Sequence, residues 1–185
     1  MIIFRETKLK GAYVIEPETF EDSRGFFARS FSQMEFEAHG LRSQFAEAGI
    51  SLNLRKHTIR GMHLQAPPHA QAKLVRCTRG AIYDVMIDLR SDSPTFKQWV
   101  GRELTAQNRL MLYIPEGFAH GFQTLEDETE VFYQMSEAYS QTSERGIRWN
   151  DPAFAIDWPA TDGVTMNERD RTFPDFNEVD QNSIF

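Results

Sequence analysis

Between residues 57 and 139 the chain breaks into short β-type runs at close, even spacing, which favours a sandwich or a barrel over other architectures. The runs are 57–65, 72–78, 81–89, 98–104, 109–114, 119–125 and 130–135. Ala66-Pro67-Pro68, Arg79-Gly80, Asp92-Ser93-Pro94 and Pro115-Glu116-Gly117 punctuate them as turns. No long helical stretch intervenes, so the fold class is mostly β. Two further strands are expected at 12–15 and 25–31. A short helix follows, with Ser32 and Glu35 as a capping box and Gly40 as its stop. After Tyr139 the pattern changes to turns and short helical pieces, whose Trp149, Phe154, Trp158 and Phe173 would anchor them to the β core. Residues 1–185 read as one domain with a loose tail at 177–185.

Composition narrows the function classes. The net charge is −7 and no basic run occurs, so a broad nucleic-acid surface is not expected. An anionic ligand would need a local cluster of arginines and lysines. A single cysteine, Cys77, rules out an internal disulfide, fits a reducing compartment and reads as a core residue. The segment at residues 1–5 is too short for a signal peptide, and no run is apolar enough to span a membrane. A cytoplasmic protein is expected.

The chemistry concentrates around Ile59-Arg60-Gly61-Met62-His63-Leu64-Gln65 and Lys73-Leu74-Val75-Arg76, two runs expected to pair across a hairpin. A histidine titrating near neutrality can move a proton, while Arg60 and Lys73 can hold negative charge. His120 follows a Pro115-Glu116-Gly117 turn, and Pro-x-Gly-x-x-His resembles the second motif of the cupin superfamily, where such a histidine often binds metal. The remaining ligands are missing. Leu64-Gln65 follows His63, Gln71 and Lys73 occupy the region of the expected glutamate, and His69 sits in a Pro-Pro turn. A lysine facing the cavity would also oppose a divalent ion, so no metal is expected.

Several segments, taken in order, strongly resemble the dTDP-4-dehydrorhamnose 3,5-epimerase family. They are Asp22-Ser23-Arg24-Gly25-Phe26-Phe27, the His63 and Lys73 runs, Ile82-Tyr83-Asp84-Val85-Met86-Ile87-Asp88-Leu89-Arg90 and Ser93-Pro94-Thr95-Phe96. Ile114-Pro115-Glu116-Gly117-Phe118-Ala119-His120-Gly121-Phe122, the segment from Ser143 to Pro152, and Asn167-Glu168-Arg169-Asp170 complete the set. The resemblance implies a cupin-type double-stranded β-helix, or jelly-roll barrel, with short peripheral helices and without a cofactor. It also implies epimerisation of a nucleotide-linked 4-keto-6-deoxyhexose in dTDP-rhamnose or related deoxysugar biosynthesis. The C4 ketone acidifies C3–H and C5–H because the carbanion delocalises into an enolate. By resemblance His63 is the base, Asp170 its dyad partner, Lys73 the group that stabilises the enolate oxygen, and Tyr133 the acid on the opposite face. Arg24 and Arg60 would hold phosphate oxygens, with His120 near the sugar or pyrophosphate and Glu144 and Arg169 at ligand-contact positions. The family is homodimeric with strand exchange, so Arg24 would serve the partner's site. Asp84 reads as a hydrogen-bond partner of His120, and Asp88 as a structural residue at a strand end.

Some positions depart from the family pattern. Arg29 stands where glutamate is usual, Glu47-Ala48-Gly49 replaces a segment that helps read the base, Leu64 replaces an aromatic residue, His57 replaces a turn glycine, and Arg169 replaces a lysine. Arg29 and Glu47 remain candidate substrate-binding residues. These changes leave the proposed base, acid, dyad partner and lysine in place and fall on nucleotide and pocket-shape positions. Another nucleotide, a single-site epimerase, a metal-dependent cupin using His63, His69 and His120, and a non-catalytic sugar-nucleotide binding cupin are the alternatives.

Overall fold

The computed structural model describes residues 1–178. Two antiparallel sheets face each other. The first has the spatial order β1 (Ile2–Glu6), β2 (Tyr13–Pro17), β10 (Met111–Ile114), β7 (Lys73–Arg79), β12 (Thr129–Met135) and β5 (Glu47–Asn53). The second runs β13 (Glu144–Gly146), β6 (Ile59–Gln65), β11 (Phe118–Thr124), β8 (Ala81–Asp88) and β9 (Trp99–Thr105). A separate hairpin joins β3 (Thr19–Asp22) to β4 (Gly25–Ala28). From β5 to β8 successive strands alternate between the sheets, the jelly-roll arrangement that the β-rich pattern and the resemblance led us to expect.

Strand alternation sorts the side chains into three layers. Val75, Cys77, Leu112, Ile114 and Val131 of the first sheet meet Ile82, Met86, Phe118 and Phe122 of the second in the interior. The other face of the second sheet, with Met62, Leu64, Val85 and Ile87, is covered by Ile147, Trp149, Phe154, Trp158 and Phe176. The other face of the first sheet, with Ile15, Leu74 and Met111, is covered by Phe36 of helix α1 (Gln33–Ala38). Burial on both faces explains why β11 is buried at every position instead of alternating. The aromatic anchors also satisfy their polar atoms: Trp158 N–H donates to the Trp149 carbonyl at 2.9 Å.

Ser32 caps α1 by accepting the Glu35 N–H at 3.5 Å. The reciprocal half of the capping box is not made, because the Glu35 carboxylate instead accepts the Ile2 N–H at 3.1 Å and tethers β1. Gly40, at φ +70°, ends the helix.

The expected hairpin between the His63 and Lys73 runs is not formed. β6 pairs with β11 and β13, whereas β7 pairs with β10 and β12, in the opposite sheet. The connection at 66–72 is longer than a hairpin loop and contains two prolines that donate no N–H. It therefore carries the chain across the interior, and His63 and Lys73 approach from facing sheets. The strand expected at 25–31 ends at Ala28, and the one expected from 109 begins at Met111, after Arg109 takes φ +56°. β1, β3, β5 and β13 were not expected. β5 escapes pattern reading because its polarity is inverted: Ile50 and Leu52 are exposed, while Asn53 is buried and Ser51 half-buried. The tail expected at 177–185 lies, from residue 179, outside the described residues.

Candidate active site

Arg60 and His63 are three residues apart, so strict alternation would send them to opposite faces of β6. A bulge prevents this. Arg60 pairs with Phe122 and His63 with His120, so three steps on β6 oppose two on β11. Gly61 permits it: φ is +139°, and a Cβ there would lie 2.5 Å from the Gly121 Cα. Ile59, Met62 and Leu64 consequently join the outer cluster, leaving Arg60 and His63 on the inner side.

Asp170 reaches His63 from a four-residue helix, α2 (Glu168–Arg171), whose N-cap Asn167 accepts the Asp170 N–H at 2.7 Å. His63 Nε2–H donates to Asp170 Oδ1 at 2.9 Å, and Gly61 N–H donates to Oδ2 at 3.0 Å. The carboxylate accepts only, so Nδ1 of His63 carries the free lone pair. Burial lowers the His63 pKa; Asp170 opposes this, while the charges of Lys73 and Arg169 reinforce it. The net result is an imidazole that is neutral at pH 7. For Asp170, burial raises the carboxyl pKa, but the bonds from His63 and Gly61 and the Arg169 charge together hold it below its ordinary value.

Across the interior, burial lowers the Lys73 ammonium to about 8, with the carboxylates of Asp84 and Glu144 opposing that shift. Burial pushes the Tyr133 phenol well above its ordinary value, so it stays protonated. The Tyr133 hydroxyl is 3.0 Å from Ser51 Oγ. His120 Nε2–H donates to Asp84 Oδ1 at 2.6 Å, both groups being buried. At the rim Arg169 Nη1 donates to both Glu144 oxygens at 2.8 and 2.9 Å, Tyr139 O–H donates to Glu144 at 2.9 Å, and Glu47 accepts the Tyr139 N–H at 3.2 Å. Arg60 Nε donates to Asn53 Oδ1 at 2.7 Å.

His63, Asp170, Lys73, Tyr133, His120, Arg60, Glu144 and Arg169 thus share one neighbourhood, with Glu47 linked through Tyr139. Arg24 and Arg29 do not join it within the chain. Arg24 pairs with Asp22 beside the β3–β4 turn at 2.5 Å, and Arg29 pairs with Glu35 of α1 at 3.5 Å. Sequence reasoning missed Ser51 and Asn53 as partners of Tyr133 and Arg60, Tyr139 as a rim residue bonded to Glu144, and Phe173 as a wall meeting the His63 ring edge-on at 5.7 Å. The alternation of Ser51 and Asn53 with Ile50, Leu52 and Leu54 was the available signal. Cys77 is buried and its thiol is pushed up to about 11 by that burial, which suits a core residue. Among the described residues no three His, Cys, Asp or Glu side chains converge as metal ligands would. His69 faces Glu137 at 3.8 Å instead.

A family model described as dTDP-4-dehydrorhamnose 3,5-epimerase matches residues 6–178. The dTDP-4-dehydrorhamnose 3,5-epimerase of Shigella flexneri is 43% identical over 176 residues, covering 95% of this chain and 96% of the relative. The Bacillus anthracis structure of an enzyme of that name, with TDP and PPi bound, superposes with a TM-score of 0.90 at 43% identity, covering 95% and 99% of the two chains. The Legionella pneumophila dTDP-6-deoxy-D-glucose-3,5-epimerase, in complex with dTDP-4-keto-L-rhamnose, gives 0.93 at 34% identity, covering 100% and 97%.

Proposed function

Since the chain belongs to the dTDP-4-dehydrorhamnose 3,5-epimerase family, we propose that it inverts C3 and C5 of dTDP-4-dehydro-6-deoxyglucose in dTDP-rhamnose biosynthesis. One observation carries the reading: a histidine hydrogen-bonded to a buried aspartate faces a half-buried lysine and tyrosine across the same interior. His63 removes the proton α to the ketone, and Asp170 stabilises the imidazolium that forms. Lys73 neutralises the enolate oxygen in a site where low dielectric strengthens that contact. Tyr133 donates a proton to the opposite face. Proton removal from one face and return to the other inverts the carbon, and no redox partner is needed.

In the same reading Arg60 holds phosphate oxygens, and Glu144, Arg169, Glu47 and His120 shape the nucleotide and sugar subsites. Arg24 serves the partner's site in a strand-exchanged, cytoplasmic homodimer. Support for the dimer is the apolar surface left open by Phe20, Phe26 and Phe27 on the β3–β4 hairpin and by Ile50, Leu52 and Leu54 on and beside β5. Light scattering at twice the chain mass is expected, and a monomer would overturn the dimer.

The activity is tested by incubation with dTDP-4-keto-6-deoxyglucose in deuterated water, followed by mass spectrometry. Two enzyme-dependent deuteriums are expected. One would make the protein a single-site epimerase, and none would overturn the reading.

A further inference from the structure

We propose that Asp84 is a positioning residue for this reaction: one buried carboxylate that holds His120 through one oxygen and, with the other left facing the interior, keeps Lys73 charged from across the barrel. The inference rests on the epimerase reading and assigns a role to a residue outside the proposed proton-transfer set.

Strand register sets the geometry. β8 pairs without a bulge against β11 and β9, so Ile82, Asp84 and Met86 point the same way. Ile82 and Met86 belong to the interior cluster, as do Val75 and Cys77, which alternate with the residues on either side of them just as Lys73 does on β7. Asp84 and Lys73 therefore project into one interior from facing sheets. Asp84 is 0% exposed, and its Oδ1 accepts from His120 at 2.6 Å. Its Oδ2 is equally buried and has no hydrogen-bond partner. Among the described residues Lys73 makes no hydrogen bond or ion pair either. A buried acceptor without a donor is unfavourable, and the half-buried Lys73 ammonium of the facing sheet, whose side chain is bonded to nothing else in the described residues, can supply the positive charge that the Asp84 oxygen lacks.

The electrostatics agree. The groups acting on Lys73 are Asp84 from β8 and Glu144 from β13, with His63 of β6 itself feeling the lysine charge. Asp84 is the foremost carboxylate opposing the loss of the Lys73 proton, and the same charge acts on Tyr133 of β12. An enolate-stabilising lysine is useful only while it carries its proton, and burial alone would bring its pKa down into the working range. The arrangement also separates the two histidines: His120 spends its Nε2–H on Asp84 and is held as a fixed wall beside His63.

The test uses Asp84→Asn, an isostere that can still accept from His120 but carries no charge. In wild type the basic limb of kcat should lie near pH 8, following Lys73. In the variant we expect that limb to move down by about one pH unit or more, with kcat at pH 8 falling about fivefold or more and KM changing far less. A uniform loss at every pH with the limb unmoved would mean a packing role only and overturn the proposal. A thermal cycle with Lys73→Met covers the case in which Asp84→Asn does not fold. Lys73→Met strands the buried carboxylate, so the double variant should melt higher than Lys73→Met alone; an equal or lower melting temperature would overturn the coupling. Wild-type protein that incorporates no deuterium would remove the epimerase reading and, with it, the role in this reaction. The thermal cycle needs no substrate and separately decides the Asp84–Lys73 coupling.

Discussion

Two histidine–aspartate pairs stand side by side on neighbouring strands, since His63 of β6 and His120 of β11 are register partners. Their hydrogen bonds are alike, at 2.9 and 2.6 Å, yet they are built in opposite ways. His63 and Asp170 are 107 residues apart and meet only because a four-residue helix docks against a bulged strand. His120 and Asp84 are 36 residues apart on paired strands. The His63 side chain is 25% exposed, whereas that of His120 is 5% exposed. The second oxygen differs as well: in Asp170 it accepts a backbone N–H, and in Asp84 it is left unpartnered in the interior. A histidine–carboxylate pair is therefore not a function by itself. Under the proposed reaction, the exposure of the His63 pair suits proton transfer, and the enclosure of the His120 pair suits a support.

The largest expected effect is on the open pair. His63→Asn should lower deuterium wash-in by about 10³-fold or more, while His120→Asn should cost roughly tenfold. Equal losses would erase the distinction between the pairs. Lys73→Met should follow, with a drop in kcat of about 10²–10³-fold and a smaller change in KM, read by steady-state kinetics.

Asp170→Asn should reduce kcat by about 10²-fold and also shift the pH profile. The base must be deprotonated to act, and burial has already lowered the His63 pKa from 6.5, so the acid limb of kcat/KM should lie below that value. Asp170 raises the His63 pKa, so its neutralisation should move the limb lower still. A limb that moved upward would contradict the geometry. Activity should also fall as pH rises through about 8, where Lys73 loses its proton. The smallest expected effect is Ser51→Ala, which removes the neighbour of the Tyr133 hydroxyl and should change kcat by only a few-fold, about 1 kcal/mol.

Much of the site was legible from residue types and order. A resemblance carried on ordered motifs brought His63, Lys73, Tyr133 and Asp170 into one hypothesis, and Asp84 was readable as a partner of His120. β5 was not legible, because a strand that exposes Ile50 and Leu52 while turning Ser51 and Asn53 toward the site reverses the usual signal. The hairpin expectation failed for a related reason. Two β-type runs joined by a turn look alike whether they lie in one sheet or in two.

By itself the sequence determined the β-rich class, the place of most strands along the chain, and the inventory of ionisable groups. Period-two patterning and side-chain chemistry are local properties, carried by each segment wherever it packs. Only the tertiary structure decided that β6 and β7 face each other, that the Gly61 bulge puts Arg60 and His63 on one side, and that one histidine stays open while its neighbour is sealed. Those outcomes depend on which distant segments cover each face. Burial, and through it the charge state of Lys73 and His63, is a property of the assembled sheets and not of any one strand.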